Sequence, residues 1–410
     1  MEIQAKPGLE RARRMVWGLA ALLAGLHVVG FLAVALGRLR YPYDLEWMEG
    51  GQLVHSYEIL AGRFPYRAPS ADHIAFPYQP LYAAVVAGFG ALFGLSLPLA
   101  RAISIACTLA CAALVAGAVK KEIEKDGREG TRAGVTALLA GATVFALYRV
   151  TGFWFDLARV DALFMALLLG GLYVAKYVER PWTACLGSVV LLVLAYKTKQ
   201  LALPFFALVP PLLDAKLEPK LGAKLDPRLD PRLDPRSAQG RRAAVAFVLL
   251  AVTILVLDFV VEQRASDGWF SFYVNQLPRG QPYLPGEFFH FWLVLLSDVP
   301  LLALLAREGA GDALRRGSSW RARLGETWTL ATLLGLAATM VAWPRPGGAA
   351  NNLMTTYIPL VIPAFVGLHR LERDLGERWR VAFGLALASQ LAWLTYDPRQ
   401  QIPGPADYEA

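Results

Sequence analysis

The densest group of ionisable side chains lies near the N-terminus, where Asp44, Glu46 and Glu49 fall within six residues. Aromatic residues surround these three carboxylates, and an amphipathic stretch follows them. A carboxylate cluster of this kind could remove a proton from an acceptor hydroxyl or hold a divalent cation. It could equally consist of ordinary helix-start acids within an aromatic belt at a membrane surface.

Two further groups carry charge beside apolar segments. Arg159 and Asp161 stand directly before an apolar run, and Lys197 and Lys199 separate two short apolar blocks. Ionisable groups near a membrane usually face a protein interior or a water-filled cavity. The alternatives are that Arg159 and Asp161 only pair with each other, and that the lysines extend their amines to the membrane surface.

A fourth group combines a turn with two amides. Arg345 lies in a Trp-Pro-Arg-Pro-Gly-Gly segment, which Asn351 and Asn352 follow at the start of an apolar block. The exposed N–H groups of a helix start favour anions. Asn at that position could also simply cap the helix.

These groups must be positioned by membrane helices. The 410 residues are 56% hydrophobic and 18% charged, whereas a soluble domain carries about a quarter charged residues. The apolar residues form blocks of roughly 15 to 20, close to the length of about 20 that a helix needs to cross a bilayer. Because a spanning backbone must satisfy its own hydrogen bonds, we predict one all-α, polytopic transmembrane domain over residues 1–410.

The apolar blocks predict eleven spans. Their ranges are 16–36, 98–119, 133–150, 160–178, 182–196, 200–213, 243–261, 288–306, 327–343, 353–369 and 380–396. Arginines precede the first span, and this threading leaves most Lys and Arg on the cytoplasmic side, as membrane insertion favours. The N-terminus is therefore predicted to be cytoplasmic, and this placement of the +8 net charge argues against nucleic-acid binding.

Three segments complete the threading. Residues 37–97 form the first outer loop, in which the apolar block 80–95 is interpreted as a re-entrant or interfacial helix. If 80–95 instead spanned, every later loop would change sides. Residues 214–242 form a cytoplasmic low-complexity loop with a repeated Leu-Asp-Pro-Arg unit. Proline at every fourth position prevents a regular helix, so a linker is favoured over a docking stalk.

The threading puts all four groups on the outer side, where their charges and amides suit an anionic lipid head group and a polar sugar. The sequence resembles the multi-spanning glycosyltransferases of the C superfamily, in the bacterial branch related to lipid A aminoarabinose transferases and protein mannosyltransferases. The resemblance rests on Asp44-Leu45-Glu46 after the first span, on the Phe-Pro-Tyr-Gln-Pro segment at 76–80 and on the later polar groups. Acidic pairs in relatives are often adjacent, so the roles of Asp44 and Glu46 could be exchanged here.

The resemblance implies inverting transfer of a sugar from a polyprenyl-phosphate carrier to a lipid or glycan hydroxyl outside the cytoplasm, in a bacterial inner membrane. Asp44 would be the general base, and Glu46 would assist it or help to hold a metal. The implied substrate-binding residues are Tyr78, Arg159, Asp161, Lys197, Lys199, Arg345, Asn351 and Asn352. No cofactor is implied beyond a possible divalent cation, which Asp44, Glu46 and Glu49 would hold.

Two other functions are compatible with the same pattern. A transporter or flippase for a lipid-linked sugar would need polar residues through the bilayer, where Asp298 and His27 are the notable candidates. Because such residues are few, transport is disfavoured. A scaffold subunit with an inactive site is the third interpretation.

Overall fold

A computed structural model describes residues 7–125, 131–216, 235–310 and 326–408. These residues form helices and no β-strand, with the following bounds: α1 Pro7–Leu39, α2 Glu49–Leu60, α3 Leu81–Phe93, α4 Leu97–Lys125, α5 Thr131–Ala146, α6 Val160–Tyr177, α7 Pro181–Thr198, α8 Val209–Ala215, α9 Pro235–Ala265, α10 Pro285–Asp298, α11 Pro300–Gly309, α12 Thr327–Ala342, α13 Met354–Asp374 and α14 Glu377–Trp393. Short 3-10 helices precede α8 at Gln200–Leu208 and α13 at Ala350–Leu353. The predicted Leu-Asp-Pro-Arg linker falls largely on residues 217–234, outside the described ranges.

The predicted membrane fold is confirmed. Six helices are long and apolar enough to cross a membrane, namely α1, α4, α6, α7, the 238–265 part of α9, and α13 with the 3-10 turn before it. Helices α10 and α11 together would make a seventh, and four shorter apolar helices accompany them. Each of the eleven predicted spans contains helix, while the number of crossings stays a prediction.

Helix α3 matches the block predicted to be re-entrant or interfacial. Its 13 residues extend only about 20 Å at the helical rise per residue, against a hydrocarbon core about 30 Å thick. The connection to α4 is also short, because Gly94 ends α3 with a φ of +82° and α4 begins at Leu97. The length of α3 therefore fits a helix that does not cross.

The segment predicted as one span, 288–306, is instead two helices that meet at an angle of 79°. Val299 separates them with a non-helical backbone (φ −133°, ψ 40°), and Pro300 opens α11 without an N–H group to continue α10. Gln390 of α14 repairs the break: its Nε2 donates to the Asp298 carbonyl at 2.9 Å, and its Oε1 accepts from the Leu301 N–H at 3.1 Å. Irregular backbone at membrane depth needs such partners.

The two polar residues considered as parts of a transport path are held by protein partners. Tyr357 donates its hydroxyl to Asp298 Oδ2 at 3.0 Å, and His27 lies 2.9 Å from the Leu391 carbonyl through Nε2. His27 is 2% exposed. Both residues therefore bind neighbouring helices within the bundle.

Helix α13 is the centre of the bundle, and its apolar window is wholly buried. It packs backbone to backbone on two neighbours. A Cβ on Gly309 of α11 would come within 1.8 Å of the Pro363 carbonyl, and one on Gly335 of α12 within 2.1 Å of the Thr355 carbonyl. Small residues allow this close approach between membrane helices. The contact at Thr355 fixes the start of α13, directly after the 3-10 helix that carries Asn351 and Asn352.

Candidate active site

The N-terminal end of α6 joins the first loop through Arg159, whose side chain is 1% exposed. Its Nη1 donates to Glu46 Oε2 at 2.5 Å, and its Nη2 donates to the hydroxyl of Tyr78 at 2.8 Å. The guanidinium also lies over the rings of Tyr78 and Trp154, at 5.2 Å and 4.7 Å from their centres. Arg159 thus connects two segments of the first loop with the start of a buried helix.

A second cluster forms around Asp161, which follows Arg159 by two residues and is also 1% exposed. Lys199 Nζ donates to Asp161 Oδ1 at 2.6 Å, and Asn351 Nδ2 donates to the same oxygen at 3.1 Å. Lys199 also donates to Asn352 Oδ1 at 3.1 Å. Residues from α6, from the break after α7 and from the start of α13 therefore meet at one point.

Several buried polar atoms of these clusters have no hydrogen-bond partner among the described residues. They are Arg159 Nε, Asp161 Oδ2, Asn351 Oδ1 and, beside Tyr78, Gln79 Oε1. A buried polar group without a partner is unfavourable, so such atoms call for a ligand or water. The donors and acceptors left over match a ligand that carries both charge and hydroxyl groups.

Asp44 is the most accessible of the three clustered carboxylates. It is exposed, and within the described ranges no cation lies at salt-bridge distance from it. The Gly50 N–H at the start of α2 donates a hydrogen bond to the Asp44 carboxylate. The two residues are so close that a Cβ on Gly50 would lie only 2.7 Å from Asp44 Oδ2. Partial burial raises the pKa of Asp44, and the hydrogen bond from Gly50 opposes that shift.

Glu46 is more enclosed than Asp44, with 14% of its side chain exposed. Burial raises the pKa of Glu46, while the positive charge of Arg159 opposes the rise. The Met48 N–H donates to the same oxygen that Arg159 binds, at 3.2 Å. Glu46 is therefore a paired carboxylate at the edge of the site.

Glu49 is fully engaged inside the protein. Arg101 of α4 binds it with two N–H groups, from Nε to Oε1 at 3.0 Å and from Nη2 to Oε2 at 2.6 Å. The N–H groups of Leu45 and Ala158 each donate to it at 2.7 Å. Both residues of this pair are 0% exposed, so Glu49 offers no free oxygen to a metal or a substrate.

Within the described ranges, no group of three or more His, Cys, Asp or Glu side chains could hold a metal ion. The three acids predicted as possible ligands differ too much in their surroundings: Asp44 is exposed, Glu46 binds Arg159 and Glu49 binds Arg101.

Lys197 and Arg345 bind residues outside these two clusters. Lys197 pairs with Asp258 at 2.8 Å and with Glu262, both on α9. Arg345 donates from Nη1 to the Pro278 carbonyl at 2.7 Å and so ties the loop before α13 to the segment after α9. Neither contact reaches Arg159 or Lys199.

Sequence reasoning missed two buried arginines. Arg101 lies within a predicted span, which is a recognisable signal because ionisable residues inside membrane segments usually have a specific partner. Arg38, at the end of α1, donates to Tyr148 at 3.1 Å, to Asp156 at 3.4 Å and to Gln401 Oε1 at 3.0 Å. Gln401 belongs to the segment after α14, and no local sequence pattern predicts its contact with Arg38.

Comparisons with known proteins identify the fold. No protein-family model matches the sequence, and no curated protein matches it. Two solved structures match: ArnT from Cupriavidus metallidurans bound to undecaprenyl phosphate, at 15% identity, and the same protein in the apo state, at 14%. Both have a TM-score of 0.54 and cover 86% of this chain.

The chain spans about 60% of the length of these ArnT structures. At this level of identity the match concerns the fold. It confirms the multi-spanning helical architecture that the sequence predicted and shows that this architecture is similar to that of ArnT.

Proposed function

We propose that this chain is an integral membrane glycosyltransferase, which moves a sugar with inversion from a polyprenyl-phosphate carrier to a lipid or glycan hydroxyl. The observation that carries the proposal is that three neighbouring carboxylates differ in their exposure and in their cationic partners. Glu46 and Glu49 are each bound to an arginine, whereas Asp44 is exposed, without a cationic partner in the described ranges, and has a raised pKa. An accessible carboxylate of raised pKa is a suitable proton acceptor.

In the proposed reaction the acceptor hydroxyl attacks the anomeric carbon of the sugar and passes its proton to Asp44. The bond between that carbon and the phosphate oxygen breaks, and the electron pair leaves with the carrier phosphate. Lys199 and Arg159 would stabilise the charge that develops there, which is usually the largest catalytic contribution. Asp161 and Asn352 hold Lys199 in place for this role.

The remaining residues receive secondary roles. Tyr78, Asn351 and Asn352 would line the sugar or phosphate site, since they border the atoms left without partners. Lys197 and Arg345, whose contacts lie elsewhere, would act from the periphery. A divalent cation, if one takes part, would have to bind at Asp44 and Glu46, because Glu49 is saturated.

Two further properties belong to the proposal. The crystallised ArnT was bound to undecaprenyl phosphate, which supports a carrier of that kind for this chain. The cell is proposed to be bacterial and the membrane its inner membrane, with the N-terminus in the cytoplasm and the site on the outer side. The positive charges beside the predicted spans support this orientation.

The test is turnover of radiolabelled undecaprenyl-phosphate sugars by the purified protein in nanodiscs. Wild type should release the sugar or transfer it, and Asp44→Asn should lower the rate by about a hundredfold or more. Asp72→Asn is the matched control, because Asp72 is an exposed carboxylate of the same loop. Donor binding without turnover in every variant would instead favour a transporter, and absence of donor binding would contradict the assignment.

A further inference from the structure

Arg101 uses every N–H group of its guanidinium. Besides the two bonds to Glu49, Nη1 donates to the carbonyls of Arg38 at 3.0 Å and Tyr41 at 2.6 Å, and Nη2 donates to that of Tyr43 at 2.7 Å. These carbonyls belong to the chain that leaves α1 and leads to Asp44. Arginine is suited to such a position because its donors are planar and fixed in direction.

Glu49 is equally saturated, and its two backbone contacts lie next to the proposed site residues. The Leu45 N–H, which it binds at 2.7 Å, belongs to the residue between Asp44 and Glu46. The Ala158 N–H, also bound at 2.7 Å, belongs to the residue before Arg159. One carboxylate therefore holds both halves of the Glu46–Arg159 contact.

We propose that the buried Arg101–Glu49 pair is the positioning element of the active site, setting the acidic loop of Asp44 and Glu46 against Arg159. This inference rests on the proposed function. Neither residue touches a ligand, because both are 0% exposed and all their polar atoms are occupied. The pair acts through the backbone at Leu45 and Ala158, and a displacement of about 1 Å at a reacting group can cost about a hundredfold in rate.

Glu49→Gln tests this role with little change of shape. In glutamine an NH₂ group replaces one of the two carboxylate oxygens. That group cannot accept the backbone N–H that the oxygen accepts in the wild type, so the contact with Leu45 or with Ala158 is lost. We expect kcat to fall about a hundredfold, with a smaller change in the KM for the undecaprenyl-phosphate sugar, since Lys199, Asn351 and Asn352 make no contact with the pair and stay in place. Arg101→Lys keeps the charge and loses the fork of donors, and it should act in the same direction.

The matched control is Glu122→Gln, at the other end of α4. Glu122 forms a part-buried pair, with Lys176 at 3.0 Å, and accepts a hydrogen bond from Tyr177. This variant should lose thermal stability to a similar degree and keep its kcat. If Glu49→Gln and Arg101→Lys turn over the donor like Glu122→Gln while Asp44→Asn is inactive, the positioning role is wrong and the proposed function stands.

Hydrogen–deuterium exchange separates the inference from the function. Glu49→Gln should raise exchange in peptides covering Leu45 and Ala158, and Glu122→Gln should leave both unchanged. If wild type turns over no donor, the proposed function fails, and exchange then decides whether the pair holds these two segments. Unchanged exchange at Leu45 and Ala158 would overturn the inference whatever the activity.

Discussion

At the scale of single residues, the structure distinguishes side chains that look equivalent in the sequence. Lys197 and Lys199 are two positions apart and were both predicted to face the donor phosphate. Helix α7 ends at Thr198, so Lys199 leaves the helix with extended backbone and reaches Asp161, whereas Lys197 remains on the helix and faces α9. The sequence could not separate the two because the end of α7 was not predictable to one residue.

This difference gives a prediction for the two lysines. Lys199→Gln should lower turnover of the undecaprenyl-phosphate sugar by about a hundredfold, the usual cost of one preorganised donor. Lys197→Gln should retain turnover within the same order of magnitude, because the amine of Lys197 binds Asp258 and Glu262 on α9 and not the Asp161 cluster. Steady-state rates of both variants, each at matched expression, provide the measurement. Equal losses would show that Lys197 also serves the phosphate.

The carboxylates show the same limit of sequence reasoning. The spacing of Asp44, Glu46 and Glu49 indicates three carboxylates in one loop, but it could not tell which acid remains accessible. That distinction depends on Arg101 and Arg159, which come from helices 52 and 113 positions away from Glu49 and Glu46. Only tertiary contacts assign one arginine to each of two acids and none to the third.

At the scale of elements, hydropathy placed the helices well because each apolar block must close its own hydrogen bonds. It did not predict the break between α10 and α11, which divides the 288–306 block. Proline occurs inside several blocks: Pro359 and Pro363 lie within α13, which continues through both, whereas α10 ends at Asp298 and Pro300 begins α11. Gln390, about 90 positions away in the sequence, binds both sides of this break, and no local pattern predicts that contact.

We therefore expect Gln390→Ala to destabilise the protein. Gln390 is 2% exposed, and its loss leaves the Asp298 carbonyl and the Leu301 N–H without their partner in a part-buried position. A fully buried group left in this way costs about 1–3 kcal/mol, and a part-buried group costs less. The midpoint of thermal unfolding in detergent should fall clearly relative to wild type.

Gln400→Ala is the control for this prediction, because Gln400 is exposed on the segment after α14. Its unfolding midpoint should match that of wild type. A Gln390→Ala midpoint as high as that of the control would mean that the break is stable without its cap.

At the scale of the whole molecule, the apolar blocks of the sequence predict the helical architecture. The orientation of the loops relative to the membrane depends on which helices cross it. Apolar blocks along the chain predicted a multi-spanning helical fold, and the two ArnT structures match the chain over 86% of its length at only 14–15% identity. Such a fold tolerates sequence change because lipid-facing positions need only be apolar: the apolar window of α9 is only 17% buried. The side on which each loop lies depends instead on α3.

The last prediction concerns that parity. If α3 does not cross, only α4 separates the first loop from the segment after α4, and these two lie on opposite sides of the membrane. Ala68→Cys and Lys121→Cys place exposed thiols in the two regions, after replacement of the native Cys107, Cys111 and Cys185 by alanine. In right-side-out vesicles, a membrane-impermeant maleimide should label Ala68→Cys directly and Lys121→Cys only after permeabilisation. Labelling of both thiols in intact vesicles would show that α3 spans the membrane, and labelling of Lys121→Cys alone would place the proposed active site in the cytoplasm, where the proposed orientation would be wrong.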